Sequence, residues 1–148
     1  MKGKTRQKIV VAVSGGFDPI HIGHVRMFEA ARKLGDELVV ILNNDNWIQN
    51  KKGYVFMNEK ERKEILLALR PVDRVYVTKH TKDDQDTSVS KALLKLKPDI
   101  FANGGDRTSK NTPETKACEQ IGAQMVFGVG RGGKVQSSSW LVNKAKVK

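Results

Sequence analysis

A single cysteine, Cys118, leaves this chain unable to close an internal disulfide, a usage that fits a reducing, cytoplasmic setting. No apolar run approaches the roughly 18 residues that a membrane-crossing helix needs, so no membrane partner is expected. Four prolines and thirteen glycines in 148 residues are too few for a fibrous or low-complexity protein. Aromatic residues amount to 6% and are nowhere interleaved with basic ones in the manner of single-strand nucleic-acid binders, so nucleic acid is not the expected partner. Acidic residues are also scarce: 16 Asp and Glu stand against 27 Lys and Arg, a net charge of +11.

That excess favours polyanionic partners, among them nucleoside triphosphates and sugar phosphates. Part of it carries little information, because Lys2, Lys4, Arg6 and Lys8 at one end and Lys144, Lys146 and Lys148 at the other read as solvated tails. The basic start is like the first region of a signal peptide, but the apolar stretch behind it ends after about five residues and runs into a glycine turn. With 39% apolar residues the chain can bury one ordinary core, so residues 1–148 are expected to form one domain with 1–8 as a basic tail.

Ile9, Val10, Val11, Ala12 and Val13 form a short, nearly all-apolar run rich in β-branched residues, the signature of a strand buried on both faces. From Val25 the period changes, with Met27, Ala30, Ala31 and Leu34 recurring at helical spacing. Residues 37–42 read as a second buried strand. Residues 43–57 are polar, basic and broken by Gly53, and are expected to form a long active-site loop. Asn58, with Glu61 three residues on, is a candidate N-cap for a helix whose apolar stripe is Ile65, Leu66 and Leu69 and which Pro71 ends. Further strands are expected over 72–78, 99–102 and 124–128. Further helices are expected over 88–96, 114–121 and from Trp140, the last capped by Ser137, Ser138 and Ser139. This alternation predicts an α/β, Rossmann-like, doubly wound fold: a mainly parallel five-stranded sheet with helices on both faces.

Between the first strand and helix stands Gly15-Gly16-Phe17-Asp18-Pro19-Ile20-His21-Ile22-Gly23-His24. At such a strand end, unpaired N–H groups and the macrodipole of the helix face an incoming phosphate. Gly15 and Gly16 let backbone N–H groups approach the anion, and Gly23 lets the chain pass close beneath a nucleotide. His21 precedes the helix and His24 opens it, so both imidazoles can reach over its start. Two more polar groups follow strands: Asn103, Gly104, Gly105, Asp106 and Arg107, then the three serines. Parallel strands bring their ends to one edge, so the three groups are expected to converge. Two histidines three apart can instead pack or hold a metal, but Cys118 and His80 do not complete a zinc site, and no resident metal is expected.

His21-Ile22-Gly23-His24 resembles the His-x-Gly-His (HIGH) signature of the nucleotidyltransferase superfamily, in its strand–turn–helix context. The chain is far too short for the class I aminoacyl-tRNA synthetases of that superfamily and has no Lys-Met-Ser-Lys-Ser loop. It resembles two groups of small members over nearly its whole length: glycerol-3-phosphate cytidylyltransferases and the heptose 1-phosphate adenylyltransferase domain of ADP-heptose synthesis. Shared features are the Gly-x-Phe-Asp turn, Leu34-Gly35-Asp36, Arg62 and Val72-Asp73. The heptose group is closer at Asn43-Asn44-Asp45 with Lys51-Lys52-Gly53, and at Pro98-Asp99 with Gly104-Gly105-Asp106.

The resemblance implies transfer of NMP from ATP or CTP to a phosphorylated sugar or polyol, with release of pyrophosphate. It also implies a homodimer, and Mg²⁺ held mainly by the nucleotide. His21 and His24 would stabilise the transition state, Lys52 would bind phosphate, with Lys51 next to it, and Arg62 would contact the acceptor or triphosphate. The nucleotide is expected on Gly15, Gly16, Phe17, Asp18, His21, Gly23, His24, Asn103, Gly105, Asp106, Arg107, Ser137, Ser138 and Ser139, and the acceptor on Asn44, Lys52 and Arg62. Nicotinate mononucleotide, pantetheine phosphate and riboflavin phosphate are alternative acceptors. A non-catalytic basic nucleic-acid-binding protein on the same fold is the alternative from another class. The chain departs from these relatives in two places. Their C-terminal arginine has no counterpart, Arg131 falling one residue early and Lys134 being the nearer cation, and Asn103 replaces the lysine before Gly-Gly-Asp.

Overall fold

The structure is a computed structural model that describes residues 7–105, 112–130 and 138–146. Five strands are found among these residues: β1 (Val10–Gly15), β2 (Glu37–Leu42), β3 (Arg74–Val77), β4 (Ile100–Ala102) and β5 (Gln124–Val126). They form one sheet in the order β3-β2-β1-β4-β5, and every neighbouring pair is parallel. The intervening helices are α1 (Ile22–Arg32), α2 (Asp45–Lys52), α3 (Glu59–Leu67), α4 (Ser90–Leu96), α5 (Thr115–Ile121) and α6 (Ser138–Lys146).

The two-residue period of β1 and β2 divides their side chains between two cores. Val11, Val13, Val40 and Leu42 meet Phe28 and Ala31 of α1 and Leu66 of α3 on one face. Ala12, Val39 and Ile41 meet Ala92 and Leu93 of α4 and Ala117 and Cys118 of α5 on the other. The doubly wound α/β fold expected from the alternation is therefore the fold observed.

Three aspartates organise the amino edge of the sheet. Asp36, Asp73 and Asp99 each precede a strand and accept, through Oδ2, the N–H of Ile9, Leu38 and Val10 respectively, all at 2.8 Å. The carboxyl edge is left to loops. The chain runs from β1 outward through β2 to β3, then crosses to β4 on the other flank of β1. The strand order thus reverses between β1 and β4, the place in an open sheet where a ligand crevice forms.

The expected 43–57 loop needs correction, because it contains the helix α2. Asn44 caps that helix by accepting the Trp47 N–H at 2.9 Å, and Gly53, at φ 82°, ends it in the left-handed region. Only Ile48 of its eight residues is buried, so no apolar stripe announced it. Helix α1 begins at Ile22, three residues before the helical period becomes visible at Val25, and α6 takes Ser138 and Ser139 into the helix. Ser137 and residues 1–6 of the tail lie outside the described residues. No described helix is long and apolar enough to cross a membrane.

Candidate active site

At the carboxyl end of β1 the chain turns through Gly16 and Phe17. Phe17 has a left-handed backbone (φ 51°), uncommon for a bulky residue. A Cβ on Gly15 would lie 2.7 Å from Phe17 Cζ, so the glycine makes room for the ring. That ring is buried and meets His24 edge-on, with centroids 4.7 Å apart. The Asp18–Pro19 peptide is cis. Asp18, expected at the nucleotide, is buried, and its carboxylate accepts the N–H groups of Phe56 (2.8 Å) and Met57 (2.6 Å). In this structure it ties the segment after α2 to the turn.

His21 is the N-cap of α1. Its Nδ1 accepts the Gly23 N–H at 3.1 Å, while the His24 Nδ1 accepts the His21 N–H at 3.2 Å, a capping box made of two imidazoles. The rings stack with centroids 3.7 Å apart. Because each Nδ1 is an acceptor, a neutral ring carries its proton on Nε2, and each histidine is fixed as an Nε2–H donor. Burial, reinforced by His21 and by the Lys52 charge, pushes the His24 pKa down to about 3, so this ring is neutral at physiological pH.

Lys51 and Lys52 occupy the last turn of α2, where cations suit the helix dipole, but they diverge. Lys51 is exposed, with its ammonium 5.7 Å from the centroid of the Trp47 ring. Lys52 is half-buried, and its charge acts on His24. Lys52, rather than Lys51, is therefore the lysine whose charge reaches His24. Asn44, expected at the acceptor, is buried. Besides capping α2, it donates through Nδ2 to His80 O at 2.9 Å and through its N–H to Thr78 Oγ1 at 3.0 Å.

Arg62 departs most from expectation. Its side chain has no exposed surface, and all of its nitrogens face the protein. Nε donates to Met57 O (2.8 Å), Nη1 to Gly16 O and Asn43 O (2.7 Å each), and Nη2 to Asp45 Oδ1 (2.6 Å). In place of the expected contact with acceptor or triphosphate, the guanidinium fork holds together the glycine turn after β1, the end of β2 and the start of α2. Arg62 stands one helical turn before buried Leu66, and that spacing is the sequence signal that could have placed it inside.

On the other flank of β1, Asn103 is buried after β4, with its N–H on Val126 O at 2.7 Å and its carbonyl accepting Val129 N–H at 3.0 Å. Its side chain donates to Phe101 O at 3.3 Å. Gly104 packs against α1, where a Cβ would lie 2.9 Å from Met27 Sδ, and Gly105 has a φ of 62°. Ser138 Oγ donates to Pro19 O at 2.6 Å, which brings the start of α6 to the same turn. Described parts of all three polar groups thus meet at one edge. Asp106, Arg107, Arg131, Lys134 and Ser137, and the side chain of Ser139, lie outside the described residues.

Among the described residues no group of three or more His, Cys, Asp or Glu side chains is placed to hold a metal ion. Asn43, the first residue of the Asn43-Asn44-Asp45 motif but not among the expected site residues, is buried at the end of β2 with Oδ1 unpartnered.

Residues 12–131 match the cytidylyltransferase-like family. The chain belongs to it. Similar relatives of this cytidylyltransferase-like chain include an FAD synthase of Pyrococcus horikoshii, 41% identical over 102 residues, 68% of this chain and 66% of that protein. The bifunctional protein HldE of Syntrophotalea carbinolica is 38% identical over 124 residues, 82% of this chain. The chain spans 24% of the length of that HldE protein, and just under two thirds of the FAD synthase. Among solved structures, the lipopolysaccharide core biosynthesis protein of Thermoplasma volcanium superposes with a TM-score of 0.68 at 27% identity, covering 85% of this chain and all of that one. TmcAL of Thermotoga maritima, solved with alpha-thio ATP, gives 0.70 at 14% identity over 93% of this chain and 50% of that one, a likeness of fold alone.

Proposed function

We propose that the chain transfers a nucleoside monophosphate from ATP or CTP to a phosphorylated small-molecule acceptor and releases pyrophosphate. The observation that carries this reading is the paired histidine cap. It sets two Nε2–H donors at the amino end of α1, against a glycine turn, at the point where the strand order reverses. Family membership supports it independently.

In this mechanism a phosphate oxygen of the acceptor attacks the α-phosphorus in line. The new P–O bond forms as the bond to pyrophosphate breaks, and since the attacking oxygen is already anionic no proton has to be removed. Negative charge grows on the departing pyrophosphate and the equatorial oxygens. His21, His24 and the first N–H groups of α1 donate to that charge, and Lys52 balances it as a mobile cation. Neutral His24 suits this role, because it donates through Nε2 without first losing or gaining a proton. Asp18 is engaged with the Phe56 and Met57 N–H groups and Asp45 with Arg62, so Mg²⁺ would enter as the complex of the nucleotide, its phosphates supplying the ligands.

A phosphorylated sugar or polyol of the heptose 1-phosphate or glycerol 3-phosphate type is the first acceptor class, supported by the HldE relatives. Riboflavin phosphate is the second, favoured by the FAD synthase relatives, of which the chain covers the larger share. A pyrophosphate-release screen of ATP, CTP, GTP and UTP against glycerol 3-phosphate, heptose 1-phosphate, riboflavin phosphate, nicotinate mononucleotide and pantetheine phosphate tests the reading. Turnover is expected for one nucleotide with one acceptor class, and silence across the grid would refute it. The reading also includes a homodimer, which sedimentation checks.

A further inference from the structure

Asn43 stands where the ladder between β1 and β2 ends. Gly15 pairs with Leu42, and the next N–H, that of Asn43, donates to Gly15 O at 2.9 Å. The Asn43 carbonyl accepts Arg62 Nη1 at 2.7 Å, and the same nitrogen donates to Gly16 O. Both backbone groups are therefore fixed between the phosphate turn and the buried guanidinium.

Its side chain is not. Asn43 is only 3% exposed, and its Oδ1 is the one fully buried side-chain polar atom among the described residues with no hydrogen-bond partner. Nearby asparagines do find partners, Asn44 and Asn46 both donating to His80 O at 2.9 Å. A buried amide oxygen left unpaired disfavours the folded state, and where a native site tolerates one, a ligand or water is the usual reason.

We propose that Asn43 recognises the acceptor, hydrogen-bonding a neutral polar group of its body, a hydroxyl or an amide edge, on the β2 side of the phosphate turn. This rests on the transferase reading. The chemistry of the residue selects the class of contact. An amide offers one acceptor and one donor end, interchangeable by rotation about χ2, which matches a hydroxyl or amide. Phosphate asks for cations and N–H donors, which Lys52, the histidines and the start of α1 supply. Position selects the substrate: β2 flanks β1 on the side away from β4, whose glycine turn packs on α1. Arg62 and the β1 ladder fix the backbone that carries the amide, so only the side-chain torsions of Asn43 are left for the acceptor to set.

Asn43→Ala and Asn43→Asp test the assignment through melting of the ligand-free protein and steady-state kinetics. The alanine variant is expected to melt at or above the wild type, because an unsatisfied group has been removed. Its KM for the acceptor should rise at least about tenfold while the KM for the nucleotide stays within about twofold. The aspartate variant, which brings a negative charge toward a phosphorylated acceptor, should raise the acceptor KM further. A melting temperature more than about 4 °C below wild type for the alanine variant would mark Asn43 as structural and overturn the proposal. So would an unchanged acceptor KM in an active variant. If the wild type itself turns over no pair, the transferase reading falls and this assignment falls with it, whereas wild-type turnover with an unaltered variant KM removes the Asn43 assignment alone.

Discussion

The His24 Nδ1 accepts the backbone N–H of His21 at 3.2 Å, and this one bond both closes the first turn of α1 and fixes which nitrogen of His24 carries the proton. Folding and the proposed chemistry share these two rings. His21 completes the relationship from the other side, its Nδ1 accepting the Gly23 N–H at 3.1 Å.

Replacing His21 by Asn should separate the two roles. Asparagine is a favoured N-cap whose Oδ1 can take over the bond to Gly23, so the helix start is kept. The Nε2–H donor is lost, and kcat should fall by on the order of 10²–10³. Thermal melts beside single-turnover rates check this, and a variant that keeps most of its rate would remove His21 from the chemistry.

Stability should depend on pH through His24. Its folded pKa lies near 3, below the ordinary 6.5, so as the pH falls the unfolded chain binds this proton first. The contribution is complete above about 6.5 and is lost progressively toward 3, with a slope of up to about 1.4 kcal/mol per pH unit. Asp84 and Asp86 are held below the ordinary carboxylate range, Asp84 mainly by the Thr81 N–H and Asp86 mainly by the Ser88 hydroxyl. Their contributions lie lower still, below the upper part of the His24 window, from about pH 6.5 to 4.5. Urea melts across that interval should show the slope in the wild type and a shallower one in His24→Asn.

Arg62→Ala should destabilise the fold by about 3–5 kcal/mol, since it strips partners from three carbonyls and leaves Asp45 without its cation. Arg62→Lys should recover only part of this, because one ammonium cannot reach all three segments. Denaturant unfolding checks both. A fully stable alanine variant with a raised substrate KM would instead mean that the guanidinium turns to the ligand.

Much of this was legible in the residues themselves. The apolar runs of β1 and β2, the Asn58 cap and the glycine turns gave the doubly wound sheet, and parallel topology then required the turn after β1, the turn after β4 and the start of α6 to share an edge. Helix α2 was hidden because one buried residue in eight leaves no periodicity, and its caps, Asn44 and Gly53, read equally well as loop residues. Arg62 was assigned to the ligand because arginine suits phosphate. Its burial follows from a local contact to Met57 and from contacts to Gly16 and Asn43, which lie 46 and 19 residues away and become neighbours only in the folded sheet. The unpaired amide of Asn43 is likewise a property of packing, visible in no residue pattern.

Adjacent lysines should behave differently. Lys52→Ala removes a charge that holds the His24 pKa down, so that pKa should rise, and nucleotide turnover should drop. Lys51→Ala should leave the His24 titration where it is, because Lys51 leans over Trp47. Titration of the imidazole resonances by NMR distinguishes the two. Equal effects from both substitutions would contradict the division.

The most direct measurement is pyrophosphate release by the wild type, with nucleotide and acceptor varied one at a time, beside the double variant His21→Asn/His24→Asn. We expect release that requires both substrates, together with formation of the nucleotidylated acceptor, and its near-complete loss in a double variant that still folds. Release that continues undiminished without the two imidazoles, or none from any pair with the wild type, would contradict nucleotidyl transfer at this site.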